Sequence, residues 1–277
     1  MNRTSIGALV ALAGLLGCGS ALADGSLAKV KQAGKLVIAT MPNYPPITYK
    51  DTATNKLTGF DIDLGEAIAA EMGVKAEWQE IQFAQMLPSL QTERVDTAMA
   101  GMSDTLARRE MVDFVDYMRS GTQFYTVTKQ AETIKQATDL CGKKVGASRS
   151  TNNPQRIAEW SKAHCEAKGK PAIEVVGTEG SVDARNQLKI QRIDASVQGN
   201  ETLPYFQALE PNTYVLLGEP LTEEITGLPV LKTKVELRDG IKAAMDRLVK
   251  NGTYAKLLEK YGLARNGLAE IQINAAK

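Results

Sequence analysis

The fold is decided by KLVIAT at residues 35–40, followed by FDIDLGEAIAAEM at 60–72 and VDTAMAG at 95–101. The first stretch is a short and nearly continuous apolar run, which is typical of a strand buried on both faces. In the second, apolar side chains recur at helical spacing. The third reads as another strand. Strands that alternate with helices in this way predict a parallel sheet covered by helices.

The same alternation begins again after about residue 129. Strands are predicted at 144–147, 173–176, 193–197 and 214–217, and helices are predicted from Pro154 and over 181–190. The two junctions, TQFYTVTK at 122–129 and ITGLPVLK at 225–232, look like ordered strands. Two α/β series connected by strands predict two lobes with a hinge, and the cleft between such lobes is a natural ligand site.

The composition is that of an ordinary globular protein. The chain has 277 residues, of which 23% are charged, and its 33 Lys and Arg nearly balance its 32 Asp and Glu. This balance removes the basic surface expected of a nucleic-acid-binding protein, so no nucleic-acid partner is expected. His164 is the only histidine. Sites that need two His ligands are therefore excluded, and we expect no metal and no cofactor.

The first 23 residues read as a secretory signal peptide. Arg3 precedes an apolar run at 6–16, and small residues at 21–23 suit cleavage after Ala23. The run is too short to span a bilayer as a stable helix. An alternative is a lipoprotein anchored through Cys18, because LLGC at 15–18 resembles a lipidation box. The soluble exported form is the preferred interpretation.

Export also bears on the other two cysteines, Cys141 and Cys165. An oxidising compartment favours a disulfide between them rather than two free thiols. Two cysteines and one nearby histidine make an incomplete set of metal ligands.

Several catalytic motifs are absent from the sequence. It contains no G-x-S-x-G elbow, no Walker A motif and no C-x-x-C pair. Asp61 and Asp63 could form an acid/base or calcium pair. The preferred interpretation is that they are solvated charges at a helix start, where the helix dipole favours them.

Six segments in a fixed order carry a resemblance to a known family. They are GKLVIATMPNYPPITYKD (34–51), KLTGFDIDLGEAIAAEMG (56–73), FAQMLPSLQTERVDTAMAGMSDTLARREMVDFVDY (83–117), DLCGKKVGAS (139–148), RIDASVQ (192–198) and LRDGIKAAMDRLVKNGTYAKLLEKYG (237–262). The chain resembles the extracytoplasmic solute-binding proteins of polar amino-acid ABC importers, bacterial solute-binding protein family 3. The resemblance covers nearly the whole chain after the signal peptide.

The resemblance implies a type II periplasmic-binding-protein-like fold, in which two α/β lobes close over a ligand. Lobe 1 is expected at 24–123 and 224–277, and lobe 2 at 129–218. Hinge crossings are expected at 124–128 and 219–223. The resemblance further implies a periplasmic monomer, a small amino-acid or related carboxylate ligand, and an ABC permease partner in the inner membrane.

The resemblance also assigns ligand-binding positions in lobe 1. Arg108 corresponds to the arginine that clamps the ligand carboxylate, a task that suits a permanently charged, two-pronged guanidinium. Arg109 is interpreted as solvent-facing or salt-bridged. Gly101 and Ser103 match positions that meet the ligand's amino or carboxyl groups. Two aromatic side chains, Tyr44 and Phe83, match the walls of the pocket.

In lobe 2 the corresponding turn is Ser150, Thr151 and Asn152, followed by Asn153 and Pro154. Proline at the first helical position makes Asn153 the expected N-cap. Free backbone N–H groups at this helix start would attract a carboxylate held by Arg108 from the other side. Closure would then depend on the ligand.

Two departures from the family pattern affect the ligand. Amino-acid binders usually carry an Asp at the position of Gly199. Either Asn200 or Glu201 meets the ammonium group instead, with Glu201 as the preferred replacement, or the ligand has no ammonium group. Binders of basic amino acids usually have an acid where Met41 stands, which argues against Arg, Lys or His as the ligand.

Three functions remain open. The leading one is capture of an amino acid or related carboxylate for an ABC importer, without catalysis. The second is an exported cyclohexadienyl dehydratase, acting on arogenate or prephenate, with Glu201 or Glu179 as general acid. The third is a ligand-sensing partner of a receptor.

Overall fold

Lobe 1 is built around the parallel sheet that KLVIAT predicts. The computed structural model describes residues 24–276, so the predicted signal peptide and Cys18 lie outside it. The elements of its first part are α1 (Ser26–Ala33), β1 (Lys35–Thr40), β2 (Asn43–Tyr44), β3 (Thr48–Lys50), β4 (Leu57–Thr58), α2 (Phe60–Glu71), β5 (Lys75–Glu80), α3 (Met86–Gln91), β6 (Thr97–Ala98) and β7 (Val112–Ser120).

Strand β1 lies in the middle of a three-stranded sheet, between β5 and β6, and runs parallel to both. Leu36 and Ile38 are completely buried, which explains the continuous apolar run. Helix α2 covers this sheet and buries Leu64 and Ile68, as their spacing predicts. The run at 95–101 is less regular than predicted, since only Thr97–Ala98 is a strand and the backbone then turns towards the cleft.

Lobe 2 has one sheet of five strands. Its elements are β8 (Thr122–Val127), β9 (Lys144–Ser148), α4 (Asn153–His164), β10 (Glu174–Thr178), α5 (Ser181–Lys189), β11 (Ala195–Gly199), α6 (Leu203–Leu209) and β12 (Tyr214–Leu217). The strand order is β10-β9-β11-β8-β12, in which the first three strands are parallel while β8 and β12 are antiparallel additions. The carboxyl ends of the parallel strands face lobe 1, so the loops that follow them reach the cleft.

The chain then returns to lobe 1. The last elements are β13 (Glu224–Leu231), α7 (Val235–Lys250), α8 (Thr253–Lys260) and β14 (Gly267–Ile273). Strands β13, β7 and β14 form an antiparallel sheet in that order. Helix α7 buries the predicted face that contains Leu237, Ile241 and Leu248. The pattern near the C-terminus indicated only helices, and strand β14 was not predicted.

The two lobes meet at a pair of adjacent crossings. Only Gly121 separates β7 of lobe 1 from β8 of lobe 2, so the crossing lies before 124–128, the range predicted from the sequence. Residues 124–127 cannot be the hinge, because they pair with β11 and β12 inside the lobe 2 sheet. The return segment, predicted at 219–223, falls between β12 and β13. We therefore use lobe 1 for residues 24–120 and 224–276, and lobe 2 for 122–217.

Gly121 is required by the close approach of these crossings. A Cβ atom at this position would overlap the carbonyl oxygen of Thr222 on the return segment. The Leu221 amide donates to the Thr122 carbonyl at 2.6 Å, and the Thr122 amide donates to the Thr222 hydroxyl at 3.0 Å. The two crossings thus move as one hydrogen-bonded pair.

The predicted disulfide is confirmed. Cys141 and Cys165 form an S–S bond with a Cα–Cα distance of 5.5 Å. It connects the segment before β9 to the end of α4, and Cys165 is completely buried in the lobe 2 core. Each lobe has its own apolar clusters, so each can move as a unit.

No helix within residues 24–276 combines the length and the apolar character that crossing a bilayer requires.

Candidate ligand-binding site

A cavity lies between the lobes, where the loops after β1 and β6 face the loops after β9 and β11. The volume of this cavity is about 90 Å³, which is room for several waters or one small organic molecule. All ten ligand-binding candidates from the sequence line this one cavity. They are Tyr44, Phe83, Gly101, Ser103, Arg108, Ser150, Thr151, Asn152, Gly199 and Glu201.

Arg108 points its guanidinium into the cavity from lobe 1. Its Nη1 donates to the carbonyl of Ser103 at 2.6 Å, and its Cζ lies 5.5 Å from the centre of the Phe83 ring. Within residues 24–276, Nε and Nη2 have no hydrogen-bond acceptor. Burial, followed by the nearby charge of Arg156, lowers the pKa of Arg108 to about 10. The group therefore stays charged at neutral pH with two nitrogens available to an anion.

Arg109 has a structural role, in agreement with its interpretation as salt-bridged. Its guanidinium forms a two-pronged ion pair with the buried Asp104 and donates to the carbonyl of Ala276 at 2.7 Å. This arrangement fixes the backbone of the short turn, Arg108–Glu110, that presents Arg108.

The start of α4 faces Arg108 from lobe 2. The helix begins one residue earlier than predicted, so Asn152 rather than Asn153 is the N-cap, and its side chain makes no capping hydrogen bond. The Thr151 hydroxyl instead holds the turn by donating to the Ser148 carbonyl at 2.8 Å and accepting from the Asn153 amide at 3.2 Å. In the described chain the amide nitrogens of Ser150 and Asn152 have no acceptor, so both can meet an anion.

Glu201 follows β11 and is a buried part of the cavity lining on the lobe 2 side. The Tyr44 hydroxyl donates to Oε1 at 2.8 Å, and the Ser120 hydroxyl donates to Oε2 at 2.5 Å. Burial raises the pKa of Glu201, while these hydrogen bonds act in the opposite direction. Burial and the charge of Glu201 raise the pKa of Tyr44 well above its ordinary value, so the phenol remains a donor.

Gly199 leaves room for this carboxylate. A Cβ atom on Gly199 would overlap both Glu201 Oε1 and the Tyr44 hydroxyl. The carboxylate of Glu201 therefore occupies the space into which a side chain at position 199 would project. The Gly199 amide also donates to the Tyr44 hydroxyl at 3.1 Å.

Sequence reasoning missed an ion pair that lines the cavity beside the hinge. Arg156 Nη1 on α4 lies 2.7 Å from Glu224 Oε1 at the start of β13. The hydroxyls of Ser103 and Thr122 donate to the same carboxylate at 2.6 and 2.9 Å. Burial raises the pKa of Glu224, but the Arg156 charge and the hydroxyls outweigh it, and the net pKa shift is downward. The only sequence signal was that Arg156 lies three residues after Asn153 on the same helix face.

The interpretation of Asp61 as a solvated charge is wrong. Asp61 is completely buried, and it accepts hydrogen bonds from the Tyr117 hydroxyl at 2.8 Å and from the Gly101 amide at 3.0 Å. Burial raises its pKa to about 7. It fixes Gly101, whose φ of 62° places it in the left-handed region that favours glycine. Asp63 is the surface charge of the pair and contacts Lys260 at 2.6 Å.

Within residues 24–276 no group of three or more His, Cys, Asp or Glu side chains could hold a metal ion. The cavity offers charged and hydroxyl side chains together with free backbone amides. This arrangement suits a small polar molecule that has separated opposite charges.

Comparison with known proteins agrees with this geometry. The sequence model of the bacterial extracellular solute-binding proteins, family 3, matches residues 36–264. The L-arginine-binding protein of Pseudomonas aeruginosa is 30% identical over 226 residues, which are 79% of this chain and 84% of that protein. The L-cystine-binding protein TcyJ of Escherichia coli K12 is 28% identical over 239 residues, which are 86% of each chain.

The fold also matches a solved structure over most of its length. The ancestral amino acid-binding protein AncCDT-1, described as a precursor of cyclohexadienyl dehydratase, superposes with a TM-score of 0.76 at 30% sequence identity. The match covers 85% of this chain and 99% of that protein. The two α/β lobes, the cavity between them and the family match over most of the sequence place this chain in the bacterial extracellular solute-binding proteins of family 3.

Proposed function

We propose that this protein captures an amino acid, or a closely related small carboxylate, in the cleft between its lobes and delivers it to an ABC importer. The observation that carries the proposal is the position of Arg108, which is buried in the cavity wall with two unoccupied nitrogens opposite the free amides before α4. A carboxylate is the small anion that best matches a guanidinium on one side and backbone N–H groups on the other.

The energetics are adequate for a transport ligand. A hydrogen bond to a charged group contributes about 1.5–3 kcal/mol. Two bonds from Arg108, further bonds from the Ser150 and Asn152 amides and an apolar contact with Phe83 would reach about −8 kcal/mol after ordering costs. This corresponds to micromolar affinity.

The opposite charge of an amino acid has a partner in Glu201. Each carboxylate oxygen can accept two hydrogen bonds, so the bonds from Tyr44 and Ser120 leave acceptor capacity for an ammonium group. Because Glu201 occupies the space beside Gly199, it can take the role usually held by an aspartate at that position. The ammonium group would in turn hold Glu201 in its ionised form.

Closure follows from the division of the site between the lobes. Arg108 belongs to lobe 1, whereas the amides before α4 and Glu201 belong to lobe 2. A ligand that contacts both sets gains its full binding free energy only when the lobes are closed, so it shifts the population towards the closed form.

The cellular setting is part of the proposal. The relatives are extracellular or periplasmic binding proteins, and the N-terminal 23 residues read as an export signal. We therefore place the protein in the periplasm as a monomer that docks on an inner-membrane ABC permease. Membrane attachment through Cys18 is the alternative.

Titration calorimetry of the processed protein against amino acids and small organic acids tests this function. We expect micromolar binding of at least one amino acid. Folded protein that binds none of them would contradict the proposal.

One observation favours a second candidate, a cyclohexadienyl dehydratase. Glu201 is a buried carboxyl group with a raised pKa in the cleft, which is what a general acid needs. AncCDT-1 is described as a precursor of such an enzyme. Incubation with prephenate or arogenate tests this candidate, and the absence of an aromatic product would exclude it.

A further inference from the structure

The charges that line the cavity are few and balanced. They are two arginines, Arg108 and Arg156, and two glutamates, Glu201 and Glu224, so the ionised side chains sum to zero. Arg156 and Glu224 neutralise each other at 2.7 Å. In the part of the chain that the structure describes, neither Arg108 nor Glu201 has an ion-pair partner. The cavity therefore offers one positive and one negative charge, from opposite lobes.

These two charges match the α-carboxylate and the α-ammonium group of an amino acid, and they leave no charged partner for its side chain. The α-carboxylate uses Arg108 and the ammonium group uses Glu201. A third charge on the ligand would be buried without a partner, which is strongly unfavourable in a closed cavity. Asp61 cannot serve as that partner, because it is completely buried and does not line the cavity.

The remaining wall contains no ionisable side chain other than these four and Tyr44. Met41 packs against Phe83, and its sulfur accepts the Phe83 amide at 3.3 Å. Across the cleft, the Asn43 side-chain nitrogen lies 3.0 Å from the position that a Cβ on Gly180 would occupy. Within residues 24–276 the side-chain amide of Asn43 has no hydrogen-bond partner, whereas its backbone amide donates to the Met41 carbonyl. The side-chain amide is therefore free to bind the side chain of a ligand.

We infer that the ligand is a net-neutral amino acid with an uncharged polar side chain, and that Met41 and Asn43 determine this preference. The inference rests on the proposed function and narrows it. It separates this chain from its relative in Pseudomonas aeruginosa, which is named for L-arginine. Met41 supplies no counter-charge for a basic side chain, and Asn43 supplies a donor and an acceptor for an amide or hydroxyl.

Calorimetry of the processed protein with six amino acids tests the inference. The uncharged group is glutamine, asparagine and serine, and the charged group is arginine, lysine and glutamate. We expect the best uncharged ligand to bind at least about tenfold more tightly than every charged one. Met41→Asp should then raise the affinity for arginine by about tenfold or more, while the control Met41→Leu should leave it unchanged.

The possible failures are distinct. If arginine, lysine or glutamate binds the unmodified protein as tightly as the best uncharged amino acid, the inference is overturned while the proposed function stands. If no amino acid binds, the proposed function itself has failed. The comparison within the unmodified protein decides the question even if Met41→Asp does not fold.

Discussion

The Tyr44 hydroxyl of lobe 1 donates to Glu201 Oε1 of lobe 2 at 2.8 Å. Both groups lie where a Cβ atom on Gly199 would project. Together with the bond from Ser120, this hydrogen bond connects Glu201, the proposed ammonium-binding group, to lobe 1.

Replacement of Arg108 by alanine should abolish detectable binding. Loss of two charge-assisted bonds of about 1.5–3 kcal/mol each weakens affinity by at least about a hundredfold. The melting temperature of the unliganded protein should hardly change, because the only hydrogen bond of the Arg108 guanidinium within the described chain goes to the Ser103 carbonyl. Calorimetry and thermal denaturation measure the two effects, and normal binding would show that Arg108 is not the clamp.

The neighbouring Arg109→Ala variant is the matched control. The substitution leaves the buried Asp104 without its ion-pair partner, which typically lowers the free energy of unfolding by about 3–5 kcal/mol. We expect a clear drop in melting temperature with ligand binding retained well below that temperature.

Glu201→Gln should distinguish the ammonium contact of the ligand from its carboxylate contact. Glutamine is nearly isosteric, but it carries no charge for an ammonium group, so affinity for the preferred amino acid should fall by about tenfold or more. The affinity for the matching 2-hydroxy acid, which has no ammonium group, should change little. Equal losses for both compounds in calorimetry would contradict the assignment of Glu201.

The sequence predicted the structure best where the hydrophobic pattern alone determines the secondary structure. Strand β1 has the predicted bounds, Lys35–Thr40, because a continuous apolar run has few alternatives when both faces are buried. Within the site, the family resemblance identified ten residues between positions 44 and 201, and all of them line one cavity. Spacing alone could not have identified Arg108 among the surface charges.

The features that the sequence did not predict depend on tertiary contacts. Arg156 and Glu224 are distant in sequence, and their pairing exists only because the two hinge crossings lie side by side. Asp61 looks identical in the sequence to the half-buried Asp63, yet it turns inward to Tyr117 and Gly101. The hinge at Gly121 was missed because strands continue on both sides of it and the sequence does not show where the pairing changes from one sheet to the other.

Asp61 should make the unliganded protein less stable as the pH rises from about 4 to about 7. Burial raises the pKa of Asp61 to about 7 in the folded state, whereas an unfolded aspartate has a pKa of about 3.9. The folded state therefore binds more protons in this window, and unfolding free energy falls with pH by up to about 1.4 kcal/mol per unit.

The variant Asp61→Asn should remove this contribution. Its amide oxygen can accept from Gly101, and its nitrogen can donate to the Tyr117 hydroxyl. The measurement is the difference in unfolding free energy between the two proteins at several pH values. This difference isolates Asp61 from Asp116, whose pKa burial also raises to about 7. A difference that is independent of pH would refute the assignment.

Reduction of the Cys141–Cys165 bond should lower stability without altering ligand preference. The bond closes a loop of 24 residues, for which the chain-entropy estimate is about 3–3.5 kcal/mol. It lies outside the cavity lining. Denaturant unfolding and calorimetry of a Cys141→Ser, Cys165→Ser variant check both statements, and a changed order of ligand affinities would show that the bond shapes the site.

Glu224→Gln should shift the preference towards acidic amino acids. The substitution leaves the guanidinium of Arg156 without its counter-charge and gives the cavity lining a net positive charge. The ratio of glutamate to glutamine affinity should rise by about tenfold, since an acidic side chain then gains a partner instead of being buried alone. Glu223→Gln is the matched control, because it makes the same charge change at an exposed position outside the lining. An equal shift in the control would mean that the overall field of the protein, rather than the Arg156–Glu224 pair, sets the preference.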